Sequence, residues 1–134
     1  LNGEPIQVAE DTKLVECMLA TGFPHDTAAW GTPADNTANF FQFNRLSQSV
    51  RRLGSAALDV AYVGAGRLDG FWQVEINQWD VAAGGLIVRE AGGVVTDAFG
   101  SPDFLAKPVS FLCANPVIHG KMLDVLEAVR EDAR

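Results

Sequence analysis

The run Trp79-Asp80-Val81-Ala82-Ala83-Gly84-Gly85-Leu86-Ile87-Val88-Arg89-Glu90-Ala91-Gly92-Gly93 constrains the fold more than any other part of the chain. It reads as one helix with Asn77 as N-cap, an acid in its first turn and a left-handed stop at Gly92 or Gly93. Inside it, Ala82, Ala83, Gly84 and Gly85 sacrifice helix propensity, since each interior Gly costs roughly 1 kcal/mol against Ala. Such a run predicts that another backbone or side chain packs closely there. Two readings of Asp80 stay open: an acid favouring the positive end of the helix dipole, or a carboxylate held for chemistry.

The rest of the chain alternates strand and helix signals. Residues 1–8 alternate weakly around Gly3 and Pro5, as an edge strand or connecting arm would, because Pro5 cannot donate into a ladder. Residues 14–21 predict a helical turn and then a strand, stopped by Gly22-Phe23-Pro24. Residues 25–33 read as an exposed loop, with His25 a surface residue. Residues 33–50 predict a covering helix opened by Thr32 and Pro33, with Ala38, Phe41, Leu46 and Val50 on its apolar face beside Phe40 and Phe43. A short strand over 49–54 leads into a second, small-residue helix over 55–66, and residues 67–76 restore a strand pattern. After the central helix come strands over 94–97 and 109–114, separated by a Gly100-Ser101-Pro102 turn. Asn115 and Pro116 open a last helix striped by Ile118, Met122, Val125, Leu126 and Val129. This order defines an α/β domain, a mixed sheet of about five strands layered with helices. Strand order does not follow from the sequence.

Composition narrows the function. The chain has 134 residues, 48% hydrophobic, enough for one domain (1–134) with its own core. Ten Lys and Arg against seventeen acids give a net charge of −7, which argues against a nucleic-acid backbone as partner and suits divalent cations. Cys17 and Cys113 each sit in apolar runs, so they read as buried, reduced thiols, an expectation that points to the cytoplasm. No apolar run approaches the roughly 20 residues that span a bilayer.

Residues 68–80, Leu-Asp-Gly-Phe-Trp-Gln-Val-Glu-Ile-Asn-Gln-Trp-Asp, together with the helix after them, resemble the C-terminal signature of the inositol monophosphatase family, in which Trp-Asp-x-Ala-Ala-Gly precedes Glu-Ala-Gly-Gly. The resemblance runs from Leu1-Asn2-Gly3-Glu4-Pro5-Ile6 through Ala20-Thr21-Gly22-Phe23-Pro24 and Arg52-Leu53-Gly54-Ser55-Ala56-Ala57 to Cys113-Ala114-Asn115. It covers the family's second half. The Glu-Glu pair and Asp-Pro-(Ile/Leu)-Asp-Gly-Thr segment of the first half are not found in this sequence, and the first residue is Leu, so the chain is expected to be the C-terminal lobe of a two-lobed enzyme.

The resemblance implies Mg²⁺-dependent hydrolysis of a small phosphate monoester, most simply inositol monophosphate to inositol and phosphate, at a site between the lobes. It implies a homodimer and an N-terminal lobe that carries most of the metal ligands, so this lobe alone is expected to be inactive. Asp80 is carried over as catalytic residue, metal ligand and substrate contact, and Gly54, Ser55 and Ala56 as contacts to substrate hydroxyls at a helix N-terminus. Gln73 stands where many members have Glu, a neutral amide in place of a charged acceptor, so the substrate is left open. Glu75, two residues on, is expected to share a strand face with Gln73. Asp69 and Arg52 read as structural partners, and His119 as a surface position on its helix. The alternatives are a relative acting on fructose 1,6-bisphosphate or histidinol phosphate, or a non-catalytic binding or regulatory lobe.

Overall fold

A computed structural model describes residues 1–134. Five strands, β1 (Met18–Thr21), β2 (Ser49–Arg51), β3 (Gly70–Gln73), β4 (Val94–Thr96) and β5 (Phe111–Ala114), form one sheet in the order β2-β1-β3-β5-β4. β1 is parallel to both β2 and β3, whereas β5 is antiparallel to β3 and β4. Four helices cover it: α1 (Thr37–Leu46), α2 (Ala56–Gly64), α3 (Gln78–Glu90) and α4 (Pro116–Asp132). Single 3₁₀ turns lie at Leu14–Glu16 and Thr27–Ala29.

Strand pleating sorts the core into two halves, because successive side chains leave a strand on opposite faces. Ala20, Phe71, Phe111 and Cys113 point to the face that buries Val60 and Val63 of α2 and Val81 and Val88 of α3. Leu19, Trp72, Leu112 and Ala114 point to the other, against Phe43 of α1 and Ile118, Met122 and Leu126 of α4. The result is a three-layer α/β/α sandwich: the mixed sheet layered with helices is as expected, and helices cover both of its faces.

The small-residue run of α3 has the close contact expected of it. A Cβ at Gly84 would fall 2.7 Å from a Val60 methyl, and one at Gly85 2.7 Å from the Phe104 ring, so α3 presses on α2 and on the loop that ends in β5. The helix closes at Ala91 with Gly92 at φ +89°, the left-handed stop predicted, and Gly93 N–H bonds the Val88 carbonyl at 2.8 Å. Asn115 caps α4 through its side chain, which accepts from Ile118 N–H at 2.9 Å. Both cysteines are buried thiols, and burial pushes Cys17 up to about 12 and Cys113 higher still.

Of the two forms expected for residues 1–8 the connecting arm is the one found, held by the Val8 N–H to Ala91 carbonyl bond at 3.1 Å. Other local expectations are corrected. α1 begins at Thr37, not at Pro33: Thr32 closes a turn of its own, and Asp35 accepts the Thr37 N–H and hydroxyl. The helix therefore buries Asn39 and Phe43 and leaves Phe41 and Leu46 exposed. β3 spans only 70–73, so Glu75 lies in the bend beyond it rather than on a strand face. Asp69 and Arg52 do not pair. Asp69 accepts Met18 N–H at 2.7 Å, while the Arg52 guanidinium stacks over Phe23 at 4.8 Å. His119 is buried, its Nε2 2.8 Å from the Thr96 hydroxyl, and burial lowers its pKa.

Candidate functional site

Because β1, β2 and β3 run parallel, the segments that follow them leave the sheet at one edge, the end where open α/β sheets bind ligands. There they enclose a cleft of about 720 Å³. The end of β1 and the loop after it supply Thr21 to Asp26, the β2–α2 turn and the start of α2 supply Arg52 and Gly54 to Ala57, and the end of β3, the bend after it and the first turn of α3 supply Gln73 and Glu75 to Asp80. The five residues singled out from the sequence, Gly54, Ser55, Ala56, Gln73 and Asp80, all line this one cleft.

Each wall has a local cause. Gly54 takes φ +92°, a conformation that L side chains adopt rarely, and this turns the chain from β2 into α2. Ser55 then caps α2 by accepting Leu58 N–H at 3.3 Å, leaving Ala56 and Ala57 N–H without intrahelical partners at the positive end of the helix. Asp80 sits in the first turn of α3, half-buried, its N–H bonded to the Asn77 carbonyl at 3.1 Å. Asn77 holds the cap position by backbone alone, its side chain making no cap bond. Two helix N-termini thus flank the cleft, an arrangement suited to anionic or hydroxyl-bearing ligands.

Gln73 is tied back rather than extended: its Nε2 donates to the Glu75 carbonyl at 2.9 Å, which fixes the amide along the wall. Asp59, one helical turn beyond Ser55, was not among the expected residues. It is 2% exposed, its Oδ1 has no hydrogen-bond partner, and burial pushes its carboxyl up to about 6. A lone acid inside the apolar run Ala56-Ala57-Leu58-Asp59-Val60-Ala61 was the available signal. Also unforeseen is Asn36, fully buried beneath the cleft, which accepts from Trp72 Nε1 at 2.7 Å and donates to Thr21 Oγ1 at 2.8 Å and the Gly22 carbonyl at 2.9 Å.

No three His, Cys, Asp or Glu side chains of the chain converge to hold a metal ion. Mg²⁺ takes an octahedron of oxygens at about 2.0–2.1 Å, which Asp80 by itself does not supply. His25 lines the cleft in the loop after β1 but bonds no Ser or Asp side chain, and His119 lies away from it against Thr96, so no hydrogen-bonded Ser-His-Asp arrangement is present.

A mixed sheet covered on both faces, with a cleft at the strand ends flanked by helix N-termini and a half-buried aspartate, places the chain in the α/β class with one candidate ligand cleft. The model of the inositol monophosphatase family matches residues 1–131, and the chain belongs to that family. It is 42% identical over 132 residues to the fructose-1,6-bisphosphatase/inositol-1-monophosphatase of Thermotoga maritima, covering 98% of this chain and 48% of that one. Against the inositol-1-monophosphatase of Synechocystis the identity is 44% over 128 residues, covering 96% and 44%. The Nus factor SuhB of Escherichia coli K12 is 39% identical over 133 residues, covering 99% and 49%. Among solved structures, the inositol monophosphatase of Anabaena superposes with a TM-score of 0.87 at 41% identity, over 95% of this chain and 49% of that one. The chain spans about half the length of the curated relatives it matches.

Proposed function

We propose that this chain is the C-terminal lobe of a two-lobed, Mg²⁺-dependent phosphatase that releases phosphate from a small phosphorylated polyol or sugar, inositol monophosphate first. The observation that carries the reading is the meeting of Gly54–Ala56, Gln73 and Asp80, from two separate connections, on one cleft. Phosphate-monoester hydrolysis is among the slowest uncatalysed reactions, and divalent ions supply charge neutralisation and an activated water. Asp80 would provide one carboxylate to such a cluster, the other ligands coming from the second lobe. The free N–H groups of Ala56 and Ala57 and the Ser55 hydroxyl would hold substrate hydroxyls, with the Gln73 amide opposite them orienting the ring.

The second lobe has a surface to meet. α2 carries no exposed charged side chain, and Leu58 and Leu86, 48% and 59% exposed, stand on the outward side of the α2–α3 layer. A solvent-facing helix is ordinarily polar there, and relatives about twice as long as this chain have the additional sequence to cover it. The cytoplasm and a homodimeric assembly belong to the same reading. Relatives named Nus factor SuhB match about as well as those named phosphatases, so activity must be assayed. The experiment combines this chain with an N-terminal lobe and follows phosphate release from inositol monophosphate, fructose 1,6-bisphosphate and histidinol phosphate across Mg²⁺ concentrations. Mg²⁺-dependent turnover is expected; binding of these esters with no release at any Mg²⁺ concentration would favour a regulatory lobe.

A further inference from the structure

Thr21 and Trp72 are register partners in the parallel β1–β3 pair, so Gly22 and Gln73 stand side by side just beyond the ladder, at the floor of the cleft. A Cβ built on Gly22 would lie 2.5 Å from Gln73 Oε1, 3.0 Å from its Cδ and 3.4 Å from its Nε2. The whole carboxamide occupies the place of the missing methyl. Gly22 does not have the positive φ of Gly54 or Gly92, so its backbone is open to any residue and what glycine provides here is space.

The backbone cannot retreat to make that space another way. The Gly22 carbonyl is held by Asn36 Nδ2 at 2.9 Å, and Asn36 is fixed in turn by Trp72 Nε1 at 2.7 Å and Asn39 Nδ2 at 3.2 Å on its Oδ1. The same Nδ2 donates to Thr21 Oγ1, whose hydroxyl donates to the Trp72 carbonyl at 2.6 Å. This buried network ties β1 to β3 at the cleft floor, every side-chain bond of Thr21, Asn36 and the Trp72 indole being made within it and only the outlying Asn39 Oδ1 lacking a partner. The Gln73 side chain, by contrast, is anchored only by its bond to the Glu75 carbonyl. A glutamate could not make that bond, because an ionised carboxylate has no proton to donate.

We infer that Gly22 is a specificity-positioning residue: lacking a side chain, it lets the Gln73 amide lie against the end of β1, bonded to Glu75, and so sets how far that amide reaches toward a polyol substrate. The inference rests on the reading of Gln73 as a contact to substrate hydroxyls. Position 22 thus acts through Gln73 and touches no reacting atom.

The test is a double-mutant cycle in the assembled two-lobed protein, with Gly22→Ala, Gln73→Ala and the double variant. kcat/KM is compared for inositol monophosphate and for p-nitrophenyl phosphate, which lacks ring hydroxyls. Gly22→Ala is expected to lower the ratio of the two about tenfold, through KM rather than kcat, the scale of one lost hydrogen bond to substrate. Since the methyl meets only the end of a flexible side chain, Tm is expected to hold. In the Gln73→Ala background Gly22→Ala should have no further effect, because the colliding group is gone. Additive effects, or equal losses on both esters, would overturn the inference while leaving the proposed function standing. An unchanged ratio in Gln73→Ala, or no turnover by the wild type, would instead remove the hydroxyl-reading role on which it rests. A crystal structure of Gly22→Ala gives a readout independent of activity: the carboxamide still on the Glu75 carbonyl would refute the inference.

Discussion

Asp80 separates two physical roles that share one position. As a first-turn acid it contributes roughly 0.3–1 kcal/mol through the helix dipole, and Asp80→Asn would cost that much stability and little else. As a carboxylate facing a divalent cation, its loss abolishes turnover with the fold intact, since Asn keeps volume and a hydrogen-bonding oxygen but no charge. The expected result in the assembled enzyme is collapse of phosphate release with a near-unchanged melting curve; normal release at every Mg²⁺ level would overturn the metal role. At the opposite end of the sheet, Asp69 makes a different kind of prediction. Burial and a side-chain hydrogen bond with Asp11 push its carboxyl up to about 6, so the folded chain holds a proton there that the unfolded chain has released. The stability from that proton is full below the ordinary carboxylate range, near 4, and is lost as pH rises through about 6. Asp69→Asn keeps an oxygen for Met18 N–H and supplies a permanent donor to Asp11. The difference in Tm between variant and wild type should therefore be near zero at pH 4 and grow to roughly 2–5 °C in favour of the variant by pH 8, where ~1 kcal/mol moves a domain of this size by a few degrees. A difference that does not vary with pH would refute it.

Glycines within helices test the packing of whole elements. Gly84 in α3 and Gly120 in α4 carry the same propensity penalty, yet a Cβ at Gly84 would press into Val60, while one at Gly120 would meet nothing within 4 Å. Gly120→Ala is expected to stabilise by about 0.5–1 kcal/mol, the difference in helix propensity. Gly84→Ala should lose about 1–2 kcal/mol net, since overpacking of ~1–3 kcal/mol outweighs that gain. Denaturant melts of both variants decide it, and stabilisation of both would show that α2 and α3 are not tightly packed. The same contrast explains which elements were legible. α3 and α4 announce their ends through Gly92 and Asn115, and the alternation of strand and helix patterns suffices for the fold class. α1 was misread because Phe40, Phe41 and Phe43 offer several apolar faces, and the one that is buried is chosen by Asn36 and Asn39, polar residues recruited by the Trp72 indole. His119 was misread for a related reason, since its burial depends on a hydroxyl from β4, far away in sequence. Gly54, Ser55, Ala56, Gln73 and Asp80 could be picked out by family resemblance; Asp59 was signalled only as a lone acid in an apolar run, and Asn36 acquires meaning only when the fold brings it against Thr21 and Trp72 beneath the cleft.

For the molecule as a whole, the outward side of the α2–α3 layer is the surface on which the second lobe is proposed to sit. Leu58→Glu with Leu86→Lys should leave the stability of this chain within about 0.5 kcal/mol, as exposed substitutions generally do. Association with the N-terminal lobe, followed by calorimetry, should weaken at least tenfold, since 1.4 kcal/mol or more of apolar contact is removed. Undiminished association would place the partner lobe elsewhere. The three tryptophans happen to label the regions that matter here. Trp72 is sealed in the core with its indole N–H bonded to Asn36, whereas Trp30 and Trp79 are 67% and 78% exposed, Trp79 at the mouth of the cleft beside Asp80. Emission from the folded chain should therefore split into a blue component that acrylamide does not reach and a red component that it quenches readily. Replacing Trp30 by Phe would leave the red component to Trp79 alone, an optical gauge of whether the cleft is open to water that can be read as a ligand or a second lobe is added, without any assay of turnover.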